Sequence, residues 1–369
     1  MRDSVKRWLG SGGGIGAAIF TAAAWAGGAP AATATPANLA ACFEAQAARL
    51  PFSGVVMAVH GDEEFFRTSG ALGPDGGTPQ RDTPYLLSSV TKVLTAVAIG
   101  QLVDQGRIAL DATVGTYLPD LPAHLAQVTI EQLLQHRGGV APMTELTPEY
   151  VQALRTATTA RQLVPLVASR PPAFSPGERQ GYSNGGYMLL GAVIEAVTGR
   201  SYAEHLEQSL FVPLGMTASR IEMDARTAPP MSRLLGPGGP APSPQSLAGR
   251  VPPRGTPAGN SVSSAADLAR LGRALLGDEL LRPETKARIF PRNGEVWRIG
   301  QAGGSPGSNA DLAVLPDHGW VVVTLSNYDP PAGQVMGEVL RGVALGRGCH
   351  TLSEQDRPSP LRILPPRTR

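Results

Sequence analysis

The sequence predicts an α/β (α+β) protein in which an all-helical lobe interrupts one unit of sheet and helix. Strand-like patterns occur near both ends of the chain, at residues 53–60 and 64–68 and again at 310–315 and 320–326. The middle of the chain carries helical patterns with almost no strand-like alternation. Strands at both ends with helices between them indicate a single unit with an inserted helical lobe.

Composition and charge narrow the class of protein. The composition, 42% hydrophobic and 17% charged, is typical of a globular chain, and a length of 369 residues alone would allow two or three domains. Thirty-two basic residues oppose thirty acidic ones, and the charges are scattered singly. No nucleic-acid partner is therefore expected, because nucleic-acid binders carry basic patches or stripes.

The first 34 residues are predicted to be a cleaved secretory signal. Arg2, Lys6 and Arg7 make a positive start, residues 13–26 form an apolar run too short to span a bilayer, and small-residue cleavage sites follow. No later run approaches eighteen apolar residues. The mature protein is therefore expected to be periplasmic or secreted, with no stable membrane span.

The elements before the helical lobe begin with a helix at 39–50 and a β-hairpin of strands 53–60 and 64–68. Residues 90–105 then show apolar residues at a 3.6 period, and Gly106 supplies the stop that a helix C-terminus favours. Further helical patterns follow at 129–135, 160–167, 185–197 and 202–210.

The second half begins with a Pro/Gly-rich stretch, 227–257, that predicts an irregular surface excursion. A capping-box pattern, Ser264 with Asp267, then opens a helix that runs to about residue 276. Strands at 296–300, 310–315 and 320–326 and a closing helix at 333–344 follow. These elements divide the chain into a signal (1–34), a domain (35–350) with a sheet lobe (about 38–88 and 258–350) and a helical lobe (about 89–257), and a disordered tail (351–369).

Two cysteines, Cys42 and Cys349, lie near the two ends of the mature domain. In an oxidising compartment this pair is a disulfide candidate, and closing so long a loop would stabilise the fold by about 2–5 kcal/mol. Two alternatives remain open at this point. The cysteines could be buried free thiols, or Cys42 could be the lipidated N-terminus of a lipoprotein, since residues 39–42 resemble a bacterial lipobox.

Of the 32 basic residues only Lys6, Lys92 and Lys286 are lysines, so a lysine inside the helix predicted at 90–105 needs a reason. Ser89 lies three residues before Lys92, which places both side chains on one helix face. A serine hydroxyl needs a nearby base to act as a nucleophile. Lysine can be that base when burial lowers its pKa, whereas arginine cannot deprotonate. The pair therefore predicts acyl-transfer chemistry; the alternative is a helix cap beside a surface lysine.

Three motifs occur in order: Ser89-Val90-Thr91-Lys92, Tyr182-Ser183-Asn184 and the glycine-rich Gln301-Ala302-Gly303. Together they resemble the motifs of the serine β-lactamase and penicillin-binding superfamily, specifically its class C-like branch, with a degenerate third motif. The resemblance covers roughly residues 52–327, and the segments 130–136 and 264–268 resemble the helices that connect the motifs in that family.

The resemblance implies a β-lactamase/transpeptidase-like fold. An antiparallel sheet is flanked by the first and last helices, the helical lobe is inserted, and the active site lies in the cleft between them. The terminal helices lie side by side in this fold, which favours a Cys42–Cys349 disulfide. No cofactor and no metal are implied, and the six histidines show no ligand spacing.

The resemblance also implies residue roles. Ser89 would attack a carbonyl carbon, and Lys92 and Tyr182 would share the work of base and acid, the division between them being left open. Asn184 would hold the Lys92 ammonium and the acyl amide of the substrate. The backbone N–H groups of Ser89 and Gly304 would form the oxyanion hole.

The third motif departs from the family at Gln301, where a lysine or histidine normally grips a substrate carboxylate. Gln301 and Gly303 are still expected to bind substrate, but hydrogen bonds from a charged group are roughly twice as strong as those from a neutral amide. The substrate is therefore expected to be a small ester, amide or peptide, with esterase or amidase activity favoured over β-lactamase activity. Arg298 lies three residues away on a strand, so its side chain should point to the opposite face.

Two other functions are compatible with parts of the pattern. Residues 181–185 read GYSNG, a literal G-x-S-x-G, which would make Ser183 the nucleophile of an α/β-hydrolase if a buried strand preceded it. A non-catalytic peptidoglycan- or ligand-binding relative of the same fold is the second alternative, and the neutral Gln301 is its main support. The sequence does not fix the substrate or the oligomeric state.

Overall fold

The computed structural model describes residues 34–73, 76–145, 147–232, 245–247 and 249–352. Residues 1–33 of the predicted signal lie outside the described residues, and only its last residue, 34, is described. Part of the Pro/Gly-rich stretch and the chain after residue 352 also lie outside the described residues.

The secondary structure contains helices throughout and strands mainly at the two ends. The helices are α1 (Pro36–Arg49), α2 (Thr91–Asp104), α3 (Ala123–Ala126), α4 (Ile130–Leu134), α5 (Pro148–Thr156), α6 (Val164–Ala168), α7 (Asn184–Thr198), α8 (Tyr202–Leu206), α9 (Ala265–Leu276), α10 (Pro283–Ile289) and α11 (Ala332–Ala344). The strands are β1 (Gly54–His60), β2 (Glu63–Ser69), β3 (Tyr85–Leu86), β4 (Met231–Ser232), β5 (Gln245–Ser246), β6 (Val262–Ser263), β7 (Ile299–Ser305), β8 (Ser308–Leu315) and β9 (Trp320–Ser326).

A five-stranded antiparallel sheet, in the order β2-β1-β9-β8-β7, joins the two ends of the chain. The first strand lies beside the last, with register from Gly54 opposite Ser326 to His60 opposite Trp320. All residues of β8 and β9 are buried, so both faces of the sheet are covered. Strand β7 forms one edge and faces the turn that leads into α2.

Helices cover the two faces of the sheet. On one face α1 and α11 lie side by side, and Phe43, Val322 and Leu340 belong to their shared cluster. On the other face Val323 packs in a second cluster that includes α9 and α2 and continues into α7. The sheet lobe and the helical lobe therefore share one continuous core. Almost all of α2 is buried, which fixes its N-terminus at the junction between them.

Several predicted elements differ from the structure. The strand predicted at 296–300 is wrong at its start, because β7 begins at Ile299 and runs through the glycines of the third motif. The Pro/Gly-rich stretch is not wholly irregular, since β4 pairs with β5. Helices α5 and α10 and the short β3–β6 pair have no counterpart in the prediction. Asp267 does not complete the predicted capping box, because its carboxylate accepts from Ala218 N–H and from Arg270 instead.

The structure joins Cys42 in α1 to Cys349 after α11 in a disulfide with Cα atoms 5.5 Å apart. The lipoprotein alternative needs Cys42 as a free terminal residue, whereas here the residue lies inside α1 and is 1% exposed.

The C-terminal tail predicted to be disordered is wrong at its first two residues, since the backbone of Leu352 exchanges two hydrogen bonds with the Gln46 side chain. Within the described ranges, no helix combines the length and the apolar character that crossing a membrane requires.

Candidate active site

Ser89 lies in a single 3₁₀ turn, Ser88–Val90, that leads directly into α2. Lys92 is the second residue of α2, so the helix places its side chain one turn beyond Ser89. The Nζ atom of Lys92 lies 3.2 Å from the Oγ atom of Ser89. The spacing of the first motif thus brings a hydroxyl and an amine into hydrogen-bond distance.

Lys92 is buried, with 1% of its surface exposed. Its Nζ atom contacts the Oδ1 atom of Asn184 at 2.8 Å and the carbonyl oxygen of Ala258. Burial lowers the pKa of the Lys92 amine well below its usual range. No carboxylate contacts this amine among the hydrogen bonds and ion pairs of the described residues, so nothing there restores its positive charge.

Tyr182 and Asn184 are held at the N-terminus of α7. Ser183 caps this helix, accepting from Gly186 N–H, and Asn184 is the first helical residue. The Oη atom of Tyr182 lies 2.6 Å from the Oγ atom of Ser89. Burial raises the pKa of Tyr182 to about 12, although the hydrogen bond to Ser89 opposes that shift. Tyr182 is therefore a neutral phenol at neutral pH.

The amide of Asn184 has a defined orientation. Its Nδ2 atom donates to the carbonyl oxygen of Met143 at 3.1 Å. Because a carbonyl oxygen can only accept, the Oδ1 atom must be the one that faces Lys92.

His136 supports the tyrosine rather than the nucleophile. Its Nδ1 atom accepts from the backbone N–H of Ser183 at 3.2 Å, and its ring lies 4.7 Å from the ring of Tyr182 and 5.1 Å from that of Tyr187. Burial, helped by the nearby Lys92, lowers the pKa of His136 to about 3. His136 is thus a neutral ring at neutral pH and adds no charge beside Lys92.

The third motif forms the edge strand β7 beside the Ser89 turn. A Cβ atom built on Gly303 would lie 2.4 Å from the carbonyl oxygen of Leu87 and 2.8 Å from the backbone nitrogen of Ser89. Both distances are too short for a real side chain, so glycine is required for this close approach. Gly304 follows on the same strand, opposite Asn309.

Gln301 lines a cavity of about 320 Å³ beside Lys92. Gln135 and His136 after α4 also line this cavity, as do the cations Arg137 and Arg298, and Phe290 contributes an apolar surface. The Nε2 atom of Gln301 donates to the carbonyl oxygen of Ala302 at 3.1 Å. None of the described residues that line the cavity is an aspartate or glutamate.

Arg298, just before β7, also lines this cavity, but its guanidinium is held by a carboxylate. Its Nη2 atom donates to the Oδ1 atom of Asp311 at 2.6 Å, and Arg341 of α11 contacts the second oxygen of the same carboxylate at 2.9 Å. Arg298 is thus engaged on the α11 face of the sheet and does not replace the missing cation at position 301.

Ser183 is not placed as a nucleophile. Its Oγ atom donates to the carbonyl oxygen of Ala141 at 2.8 Å and accepts from Gly186, and a loop rather than a strand precedes it. The structure therefore contradicts the α/β-hydrolase alternative. Among the described residues, no group of three or more histidine, cysteine, aspartate or glutamate side chains is placed to hold a metal ion.

Sequence reasoning missed one contact of this centre, the Ala258 carbonyl that accepts from Lys92. A backbone carbonyl 166 residues away leaves no pattern in the sequence. It also missed that Ser88, before the nucleophile, is linked by its hydroxyl to Ser305 and Ser308 of the third-motif region. The serines are visible in the sequence, but only the packing of β7 on the Ser89 turn brings them together.

Comparison with known proteins agrees with this architecture. The family model described as Beta-lactamase matches residues 39–344. The chain is 30% identical over 277 residues to penicillin-binding protein 4 of Amycolatopsis lactamdurans, covering 73% of this chain and 71% of that protein. It is 34% identical over 183 residues to esterase EstB of Burkholderia gladioli, but that match spans only 46% of each chain.

Among solved structures, the crystal structure of a D-stereospecific amidohydrolase from Streptomyces sp. superimposes with a TM-score of 0.67 at 26% identity. The match covers 82% of this chain and 97% of that one. The β-lactamase/transpeptidase-like fold expected from the motifs is thereby confirmed.

Proposed function

The chain belongs to the β-lactamase family of serine hydrolases, and we propose that it hydrolyses small esters or amides through an acyl-enzyme on Ser89. The observation that carries the proposal is the set of three partners around the Nζ atom of Lys92. Two of these partners can only accept, and the third is the hydroxyl of the nucleophile.

An unprotonated amine has two hydrogens and one lone pair. Asn184 Oδ1 and the Ala258 carbonyl can only accept, so they take the two hydrogens of Lys92. The third partner, the hydroxyl of Ser89 at 3.2 Å, can accept from an ammonium and can donate to the lone pair of the neutral amine. Burial lowers the pKa of Lys92 and favours this neutral form. Lys92 is therefore the base that takes the Ser89 proton.

Tyr182 acts as the proton donor in this scheme. Because its pKa is raised to about 12, the phenol keeps its proton and donates to Ser89 Oγ across 2.6 Å. As Oγ attacks the substrate carbonyl, the Ser89 proton moves to Lys92 and the carbonyl electrons move onto oxygen. When the bond to the leaving group breaks, that group takes the proton of Tyr182, which Lys92 restores. Water then attacks the acyl carbon while Lys92 takes one of its protons; the bond to Ser89 Oγ breaks, the carboxylic acid leaves, and Oγ takes that proton back.

The cavity beside Lys92 supports an uncharged group on the substrate. Gln301 offers a neutral amide where a cation would grip a carboxylate; of the two arginines that line the cavity, Arg298 is paired with Asp311 and Arg137 donates to the Gly177 carbonyl oxygen at 2.7 Å. The apolar surface of Phe290 and the amides of Gln135 and Gln301 suit a neutral, partly apolar group. Esters and amides without a carboxylate at this position are the proposed substrates.

The test compares p-nitrophenyl butyrate with a chromogenic β-lactam that carries a carboxylate, using the wild type, Ser89→Ala and Gln301→Lys. We expect the wild type to prefer the ester, Ser89→Ala to lose turnover of both, and Gln301→Lys to gain selectively on the β-lactam. Ester turnover that survives in Ser89→Ala would overturn the mechanism. A wild type that prefers the β-lactam would overturn the substrate class.

We further propose that the protein is exported and loses residues 1–34. The basic and apolar N-terminus supports this, as does a disulfide, which persists in oxidising compartments. Sequencing the N-terminus of protein recovered from a cell fraction outside the cytoplasm tests it. An intact residue 1 on that protein would contradict cleavage.

A further inference from the structure

A chain of three serine hydroxyls connects the residue before the nucleophile to the third-motif region. The Oγ atom of Ser88 lies 2.8 Å from that of Ser305 and 2.9 Å from that of Ser308, and Ser308 Oγ donates to the carbonyl oxygen of Leu86 at 2.7 Å. Ser88 and Ser308 are buried, whereas Ser305 is partly exposed. These contacts join the Ser89 turn to β7 and to β8.

The direction of the chain follows from the number of protons. The Leu86 carbonyl can only accept, so the single hydroxyl proton of Ser308 is committed to it. Ser308 must then accept from Ser88, and Ser88 must accept from Ser305. In this order each buried hydroxyl has a hydrogen-bond partner, and removal of the Ser88 hydroxyl breaks the link between Ser305 and Ser308.

Ser88 also holds an unusual backbone conformation. Its φ angle is +44°, in the left-handed region that non-glycine residues rarely adopt. The Ser88 carbonyl accepts from Thr91 Oγ1 at 2.8 Å and from Asn260 N–H at 3.1 Å. The hydroxyl chain and these two bonds hold a strained residue in place directly before the nucleophile.

We propose that Ser88 is a positioning residue whose hydroxyl fixes strand β7 against the Ser89 turn. This inference rests on the proposed function. The backbone N–H groups of Ser89 and Gly304 are the expected oxyanion donors, and they lie on the two segments that the hydroxyl chain connects. Because β7 approaches the Ser89 backbone so closely at Gly303, a small shift of either segment changes the separation of the two donors.

The test uses Ser88→Gly, which removes the hydroxyl and still permits the positive φ angle. The substrate is p-nitrophenyl pivalate, whose bulky acyl group slows deacylation so that the acyl-enzyme accumulates. We expect the acylation rate to fall by roughly 10- to 100-fold with little change in substrate binding. We also expect the infrared stretch of the acyl carbonyl to move to higher frequency, because the donors that polarise it are displaced.

Two further variants separate positioning from folding. Ser305→Ala removes the hydroxyl at the partly exposed end, with its bond to Ser88 and a longer contact of 3.5 Å to Asn260 Oδ1, and should shift the carbonyl stretch in the same direction by a smaller amount. Ser53→Ala removes a buried hydroxyl that donates to the Ala71 carbonyl at 2.8 Å, outside the hydroxyl chain, and should leave rate and frequency unchanged.

The outcomes are distinguishable. If the wild type forms no acyl-enzyme on Ser89, the proposed function fails, and the role of Ser88 fails with it. If the wild type does form it, but Ser88→Gly and Ser305→Ala both keep its carbonyl frequency and acylation rate, the positioning role alone is refuted. If Ser88→Gly lowers thermal stability but leaves the acyl carbonyl frequency and the acylation rate unchanged, the Ser88 hydroxyl is merely structural, and the positioning role is again refuted.

Discussion

The approach of β7 to the nucleophile can be tested with Gly303→Ala. The added Cβ would lie 2.4 Å from Leu87 O, 2.8 Å from Ser89 N and 3.0 Å from Ser88 Cβ. None of these atoms belongs to the end of a flexible side chain, so the two segments must separate. Ordinary van der Waals contact begins at 3.4 Å, so the contact with Leu87 O must lengthen by about 1 Å.

A displacement of this size acts on the site where the oxyanion forms. A misplacement of about 1 Å can lower a rate by about 10²-fold, equivalent to about 2.7 kcal/mol. Overpacking of this kind costs about 1–3 kcal/mol of stability, so the variant should still fold. We expect kcat for p-nitrophenyl butyrate to fall about 10²-fold with KM little changed.

The matched control is Gly277→Ala, a glycine to alanine change at an exposed site. Its Cβ would have no heavy atom nearer than Ala274 O at 4.0 Å, so activity should equal that of the wild type. Circular dichroism and thermal unfolding establish that both variants are folded. A folded Gly303→Ala with wild-type kcat would refute the requirement for close contact between β7 and the Ser89 turn.

Three further predictions follow from the same geometry. Lys92→Arg should lose about 10²–10⁴-fold in kcat, because a guanidinium does not deprotonate. Steady-state kinetics measure this loss, and near-wild-type activity of the folded variant would contradict Lys92 as the base. The acylation rate should rise with pH as Lys92 loses its proton, because only the neutral amine can act as the base. Ionisation of Tyr182 should cause no decline below about pH 11, since its pKa is about 12. Stopped-flow burst rates that fall between pH 8 and 10 in folded enzyme would count against a neutral Tyr182. Replacing both Cys42 and Cys349 by serine should lower the free energy of unfolding by up to about 5 kcal/mol, because the bond closes a loop of 307 residues; a urea midpoint equal to that of the unreduced wild type would contradict this.

Local patterns predicted the parts of the fold that depend on local sequence. Strand β9 was expected at 320–326 and is found there, because its run of apolar and β-branched residues is nearly continuous, as in a strand buried on both faces. Strand β7 was placed too early, since the glycines in its second half, Gly303 and Gly304, lower strand propensity although the site requires Gly303. Helix α5 was not predicted, because it is short, begins with a proline and has no long apolar period.

The same distinction applies to the site. Ser89 and Lys92 could be paired from their spacing, because three residues of helix bring them together whatever surrounds them. Tyr182 could be related to them only through the resemblance, since 93 residues separate it from Ser89. The carbonyl of Ala258 and the Ser88–Ser305 contact depend on packing between distant segments, which leaves no periodic trace.

The central claim is that Ser89 carries the acyl group, and mass spectrometry of the digested protein tests it most directly. Wild type and Ser89→Ala are incubated with p-nitrophenyl pivalate, quenched in acid and digested. We predict one added pivaloyl group in the wild type, located on the peptide that contains Ser89, and none in Ser89→Ala. An equal adduct in both proteins, or one located on the peptide that contains Ser183, would contradict the account.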